Sequence, residues 1–95
     1  MKSSRLSKAE QTACFSVLAC ADPGVLPRVL ELFAKRGLVP GGVQVDRMSD
    51  GEGLSIEIQM NDMEQDLAVY IGECIRGIFT VDQVLVSEVR QTEVA

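Results

Sequence analysis

The 95-residue chain contains no histidine and no tryptophan. Without histidine, a serine or cysteine nucleophile lacks its usual base, and a zinc site loses its commonest nitrogen ligand. Cysteine is scarce too: Cys14, Cys20 and Cys74 form no CxxC pair. On one strand, Cys14 and Cys20 would lie about 20 Å apart, too far to bridge. Three scattered thiols suit neither a zinc site nor an iron–sulfur cluster. They are expected to be buried or half-buried and reduced, with no metal and no cofactor. Only three Phe and one Tyr are present, and 14 acidic residues outnumber nine basic ones for a net charge of −5. Nucleic-acid binding needs a basic face, so no nucleic-acid partner is expected. No apolar run approaches the roughly 18 residues of a membrane span, so no membrane partner is expected either.

What is present suits one small domain, with 46% hydrophobic and 24% charged residues. Lys2, Arg5 and Lys8 precede an apolar run, and Val17–Cys20 loosely resembles a lipoprotein cleavage box. A secretory signal needs an unbroken apolar core, yet Glu10, Gln11, Thr12 and Ser16 interrupt this one. Residues 1–12 therefore read as a polar N-terminal arm, 13–89 as the domain and 90–95 as a tail, in a cytoplasmic chain.

Periodicity places six elements. Ala13–Cys20 is apolar on both parities except Ser16, as in a strand covered on both faces or paired on both edges. Asp22 offers a helix N-cap, and Pro23 suits the first helical position. Val25, Leu26, Val29, Leu30, Leu32 and Phe33 then share one helical face, and Gly37 supplies a left-handed cap. Val43–Ser49 alternates as a second strand, and Asp50–Gly53 forms a hairpin turn. Leu54, Ile56, Ile58 and Met60 alternate with Ser55, Glu57 and Gln59 in the cleanest strand. Asn61 and Asp62 offer a cap to a second helix, whose stripe is Met63, Leu67, Tyr70, Ile71, Cys74 and Ile75, ending at Gly77. A last strand lies within Phe79–Val89. The order β-α-β-β-α-β predicts the α+β, ferredoxin-like fold: a four-stranded antiparallel sheet with two helices on one face.

This fold hosts many activities, so function rests on sites. An RNA-recognition domain would carry aromatics on its central strands, where this chain has Phe15 alone. A copper carrier would have CxxC in the first strand–helix loop, where "ADPG" stands instead. The acids Asp22, Asp46 and Asp62 each have a plain cap or surface role, so no catalytic residue is assigned and the chain is not expected to be an enzyme. A binding or interaction domain remains. The loop Asp22-Pro23-Gly24-Val25-Leu26 opens an amphipathic helix, whose free N–H groups and partial positive charge suit a carboxylate ligand. Gly24 would let the ligand approach the backbone, and Val25 and Leu26 would supply apolar contact. The same loop also serves as cap and turn without any ligand.

With these elements in place the chain resembles an ACT domain, over about Ala13 to Val89. The most specific part is Asp22-x-Gly24-x-Leu26 followed by Val29, Leu30, Leu32, Phe33 and "KRGL". The run "PGVL-x-RV-x-x-LF-x-x-RG" is particularly similar to the short regulatory small subunits of acetolactate synthase. The resemblance implies a regulatory module whose effector, a small amino acid, sits at a dimer interface. It is held there by the first strand–helix loop and the start of a neighbour's second strand, here Gly41, Gly42 and Val43. It also implies a catalytic large subunit as partner. After the helix-ending glycine the small-subunit pattern tends to place Asn-Ile, and this chain has Val39-Pro40-Gly41-Gly42, which carries no side-chain amide. A chain this small struggles to cover both sheet faces, and edge pairing would protect its strands, so a homodimer or higher oligomer is expected. The alternative reading is a ligand-free assembly domain of the same fold.

Overall fold

A computed structural model describes residues 11–90, which form β1 (Gln11–Cys20), α1 (Val25–Ala34), β2 (Gly42–Arg47), β3 (Gly53–Asn61), α2 (Gln65–Arg76) and β4 (Val81–Arg90). Apart from the pairing of Gln11, Thr12 and Arg90 within strands, the expected arm and tail lie outside the described residues. The strands form one antiparallel sheet in the order β2-β3-β1-β4, the ferredoxin-like arrangement expected from the element order. β1 is paired on both edges: Phe15 lies opposite Ile58 on one side and Val86 on the other. Its apolar character on both parities reflects that central position. Only one face is buried, however. Ala13, Phe15, Val17 and Ala19 are covered, while Leu18 and Cys20 on the other face are exposed. Cys20 thus departs from the expected half-buried thiol.

The buried face continues into Ile56, Ile58 and Met60 of β3 and Val84 of β4, and both helices cover it. α1 buries Val25, Val29 and Phe33, four residues apart on one stripe. α2 buries Ala68, Ile71, Gly72 and Ile75. Neither helix starts where its expected cap would put it. Asp22 and Pro23 precede α1: Val25 N–H returns to Asp22 O (3.1 Å), closing a turn with Pro23 and Gly24 at its centre, and Gly24 is the N-cap. With φ −88° and ψ −7° at Gly24, this is type I geometry, which favours Asp at the first position and Pro at the second. In α2 the N-cap is Glu64, with no side-chain cap bond, and Asn61 stays in β3. Asp62 instead takes the left-handed conformation (φ 59°) that Asp tolerates, and Met63 is buried just beyond it.

At the far end of α1, Leu38 N–H bonds Phe33 O (3.0 Å) and Gly37 N–H bonds Ala34 O (2.9 Å), the Schellman pattern, with Gly37 at φ 70°. Gly72 has a different reason to lack a side chain. A Cβ placed there would sit 2.6 Å from Cγ2 of Val86, so the α2 backbone lies directly against that side chain.

Two glycine substitutions check this packing. Gly72→Ala is expected to destabilise the domain by about 1–3 kcal/mol through overpacking, despite a helix-propensity gain of about 1 kcal/mol. Val86→Ala in the same chain should recover part of the loss in chemical denaturation. Gly37→Ala should lose about 1 kcal/mol at its left-handed position, whereas Gly24→Ala, at negative φ, should lose less than half of that in the same titration.

Candidate functional site

The loop after β1 is held on both sides by backbone. Cys20 N–H donates to Thr80 O, and Ala21 N–H donates to Glu52 O, each at 2.9 Å. The Asp22 carboxylate folds back and accepts the Gly24 N–H (3.0 Å), an Asx-type contact two residues along the chain. The helix N-terminus is therefore already answered by a negative charge from its own loop. This differs from the expectation that these N–H groups stand free for a ligand.

Beside the loop lies an open concavity of about 450 Å³, lined by Ala21, Asp22, Pro23, Leu26, Val45, Arg47 and Leu54. Of the loop residues singled out in the sequence, Asp22, Pro23 and Leu26 line it. Gly24 forms the turn behind them, and Val25 is fully buried in the core. The apolar wall comes instead from Leu26, Val45 and Leu54.

The second half of the expected site lies elsewhere in the protomer. Gly42 and Val43, with Gln44, Glu57 and Gln59, line a separate concavity of about 190 Å³. β2 separates its start at Gly42 from Arg47 by five residues, about 16 Å. One protomer thus does not bring Asp22–Leu26 and Gly41–Val43 together. Gly41 also has a local reason to be glycine, because a Cβ there would sit 2.6 Å from Nδ2 of Asn61. An amide does stand beside "VPGG", supplied by the end of β3.

Arg47 escaped the sequence reading. It ends β2 on the helix-facing side, opposite Leu54, and its Nε and Nη2 both donate to Gly51 O (3.2 and 3.0 Å). The hairpin that presents this carbonyl is fixed by Asp50, whose Oδ1 accepts the N–H of Glu52 (2.9 Å) and of Gly53 (3.3 Å). Gly51 holds φ 77°, as the turn requires. The available signal was an arginine four residues before a turn glycine, a spacing too common to single out this contact.

The described residues contain no group of three or more Cys, Asp and Glu side chains gathered as metal ligands. They also contain no helix long and apolar enough to cross a membrane.

A family model described as ACT-like domain matches residues 6–93. Among curated protein sequences none matches the chain. Solved structures do. The ACT domain from GTP pyrophosphokinase of Chlorobium tepidum superposes with a TM-score of 0.67 at 12% identity, over 80% of this chain and 96% of that one. An ACT domain protein from Streptococcus pneumoniae gives 0.63 at 16% identity, over 82% of this chain and 89% of that one. The regulatory subunit of aspartate kinase from Thermus flavus gives 0.61 at 14% identity, over 80% of this chain and 50% of that one. At such identities the structural likeness is one of fold. The family match, spanning nearly the whole sequence, goes further: this chain belongs to the ACT-like domain family.

Proposed function

We propose that this chain is a small regulatory module that binds an amino acid between two copies of itself and controls a biosynthetic enzyme. The observation that carries the reading is the concavity between the tethered Asp22–Leu26 loop and the uncovered end of β2. It is small, with apolar and charged walls, and one side is left to a partner. The regulatory subunit of aspartate kinase among the structural neighbours is in keeping with such a role. The Pro23–Gly37 run supports a place beside a branched-chain amino-acid biosynthetic enzyme of the acetolactate synthase kind. On this reading the chain performs no chemistry of its own, and its catalytic partner is a larger subunit.

The second copy enters through β2. Every β2 residue after Gly42 is exposed, including Val43 (44%) and Val45 (37%) on the helix-facing side. Met48 N–H donates to Gly53 O (2.9 Å), so in antiparallel alternation the N–H groups of Val43, Val45 and Arg47 point away from β3. Two such edges pairing antiparallel would form one continuous sheet. The start of each β2 would then lie beside the end of the other, next to its Asp22 loop. This arrangement would bring the Gly41–Val43 backbone of one copy beside the Asp22–Leu26 loop of the other.

An assembly role without a ligand has its own support on the open sheet face. Leu18 and Leu85 are exposed there among polar residues, with Asp46 and Glu57 among its charges.

Two measurements test the proposal. A thermal-shift panel of the twenty amino acids is expected to give at least one strong response. At about a hundred times Kd the stabilisation is about 2.7 kcal/mol, on the order of 10 °C for a domain of this size. Gly24→Asp, which sets a second carboxylate beside Asp22, should abolish that response while leaving the fold intact. No shift with any amino acid would sink the sensing role. Light scattering should give twice the 10.3 kDa chain mass. Val45→Pro, which removes an outward N–H without breaking the β2–β3 ladder, should give a folded monomer. A Val45→Pro dimer would show that the copies meet elsewhere.

A further inference from the structure

The geometry points to Arg47 as the group that receives the effector's carboxylate, with Asp22 receiving its ammonium, so that the site selects a zwitterionic α-amino acid with an aliphatic side chain. This rests on the amino-acid-binding reading above and reverses the ligand orientation that a free helix N-terminus would impose.

Four observations lead there. The Asp22 carboxylate already occupies the Gly24 N–H, so a ligand carboxylate at the start of α1 would meet a like charge. Arg47 lines the same concavity, from β2. A guanidinium carries five N–H donors. Gly51 O takes those on the Nε/Nη2 edge, which leaves the Nη1/Nη2 edge for the two parallel bonds that a carboxylate accepts. The group is thus aimed by the hairpin and still has its end-on fork to offer. Among the described residues, the ion pair between Arg76 and Glu73 is the only one, so no acid of that set neutralises Arg47. Finally, Leu26, Val45 and Leu54 supply the apolar lining of the same concavity, which suits a short hydrocarbon side chain.

The edge pairing of two copies gives the same arrangement a use for the glycine pair. Gly41 and Gly42 of the second copy would arrive beside Arg47. Having no side chains, they would close over the ligand without blocking the fork. The missing side-chain amide in "VPGG" is then no loss, because the carboxylate is held by an arginine from the facing strand.

The test is calorimetric titration of the full chain with three probes: L-valine, isobutylamine (no carboxylate) and (S)-2-hydroxyisovalerate (no ammonium). Wild type should bind L-valine and reject both analogues. Arg47→Gln should weaken L-valine binding roughly ten- to a hundredfold, the scale of a charge-assisted bidentate contact, and should leave isobutylamine unchanged. Arg47→Lys, which keeps the charge but not the fork, should fall between them. Asp22→Asn still accepts the Gly24 N–H and should instead lose its discrimination against the hydroxy acid. If Arg47→Gln and Arg47→Lys both bind L-valine as tightly as wild type, the assignment of Arg47 is wrong while the amino-acid-binding reading stands. A wild type that ignores L-valine but responds to a polar amino acid overturns the aliphatic class. A wild type that binds none of the twenty overturns both the assignment and the reading beneath it.

Discussion

Phe15 in the middle of β1 meets Phe33 near the end of α1 edge to face, with ring centroids 5.3 Å apart and planes at 86°. Both rings are buried, and the T-shaped contact suits the aromatic quadrupoles. A ten-residue helix is too short to persist alone in water, so its packing decides where it lies. The Phe pair pins one end of α1 over the centre of the sheet, and buried Val25 pins the other. Between them they fix the line of the helix, and with it the Asp22–Gly24 turn at the sheet's end. The two backbone bonds to Thr80 and Glu52 then hold that turn from either side. The position of the candidate site is thus a consequence of core packing two helical turns away.

The same packing explains why β2 is left open. α2 buries its apolar stripe against β4 and β1, and α1 sets Phe33 against Phe15 of β1. The helix-facing side chains of β2 gain little cover, and its outer N–H groups gain none from the described residues. An edge strand with alternating Val43 and Val45 and no lysine or proline within it carries little protection against pairing beyond its charges at Asp46 and Arg47. That exposure is the ground for the proposed antiparallel second copy, which would pair the strand and cover the valines together.

The architecture was legible because it rests on periodicity. Alternation from Leu54 to Met60 and the apolar stripes of both helices follow from one buried face. The details that moved are those decided by turns and by neighbours in space. Asp22-Pro23-Gly24 satisfies the signature of a helix start and that of a type I turn. The turn prevails at Asp22 and Pro23, and the helix waits until Val25. Asn61 and Asp62 have cap chemistry, yet Asn61 is held in the ladder opposite Thr12 and Asp62 is spent on a left-handed bend. The site residues were harder. Val25 and Leu26 are adjacent in sequence and were indistinguishable as ligand contacts until the helix phase sent one into the core. The role proposed for Arg47 rests on a hairpin carbonyl and on a concavity partly lined by a distant loop. Neither is written in local spacing.

Exposure sets the energetic character of the site. Opposite charges that stand in water interact weakly, typically by less than about 1 kcal/mol, so an open concavity bearing Asp22 and Arg47 holds a zwitterion poorly by itself. The attraction grows as water is removed, because the effective dielectric falls. On the proposed pairing, a second copy laid along β2 would remove that water at the Arg47 side, and the dimer would be the form that binds well. Linkage then runs in both directions: a ligand that prefers the paired state must also strengthen the pairing, by the same factor. On the proposed reading this coupling would be the output: an amino acid bridging Asp22 and Arg47 would change how firmly two β2 edges are joined, and hence the shape of the sheet offered to a catalytic partner.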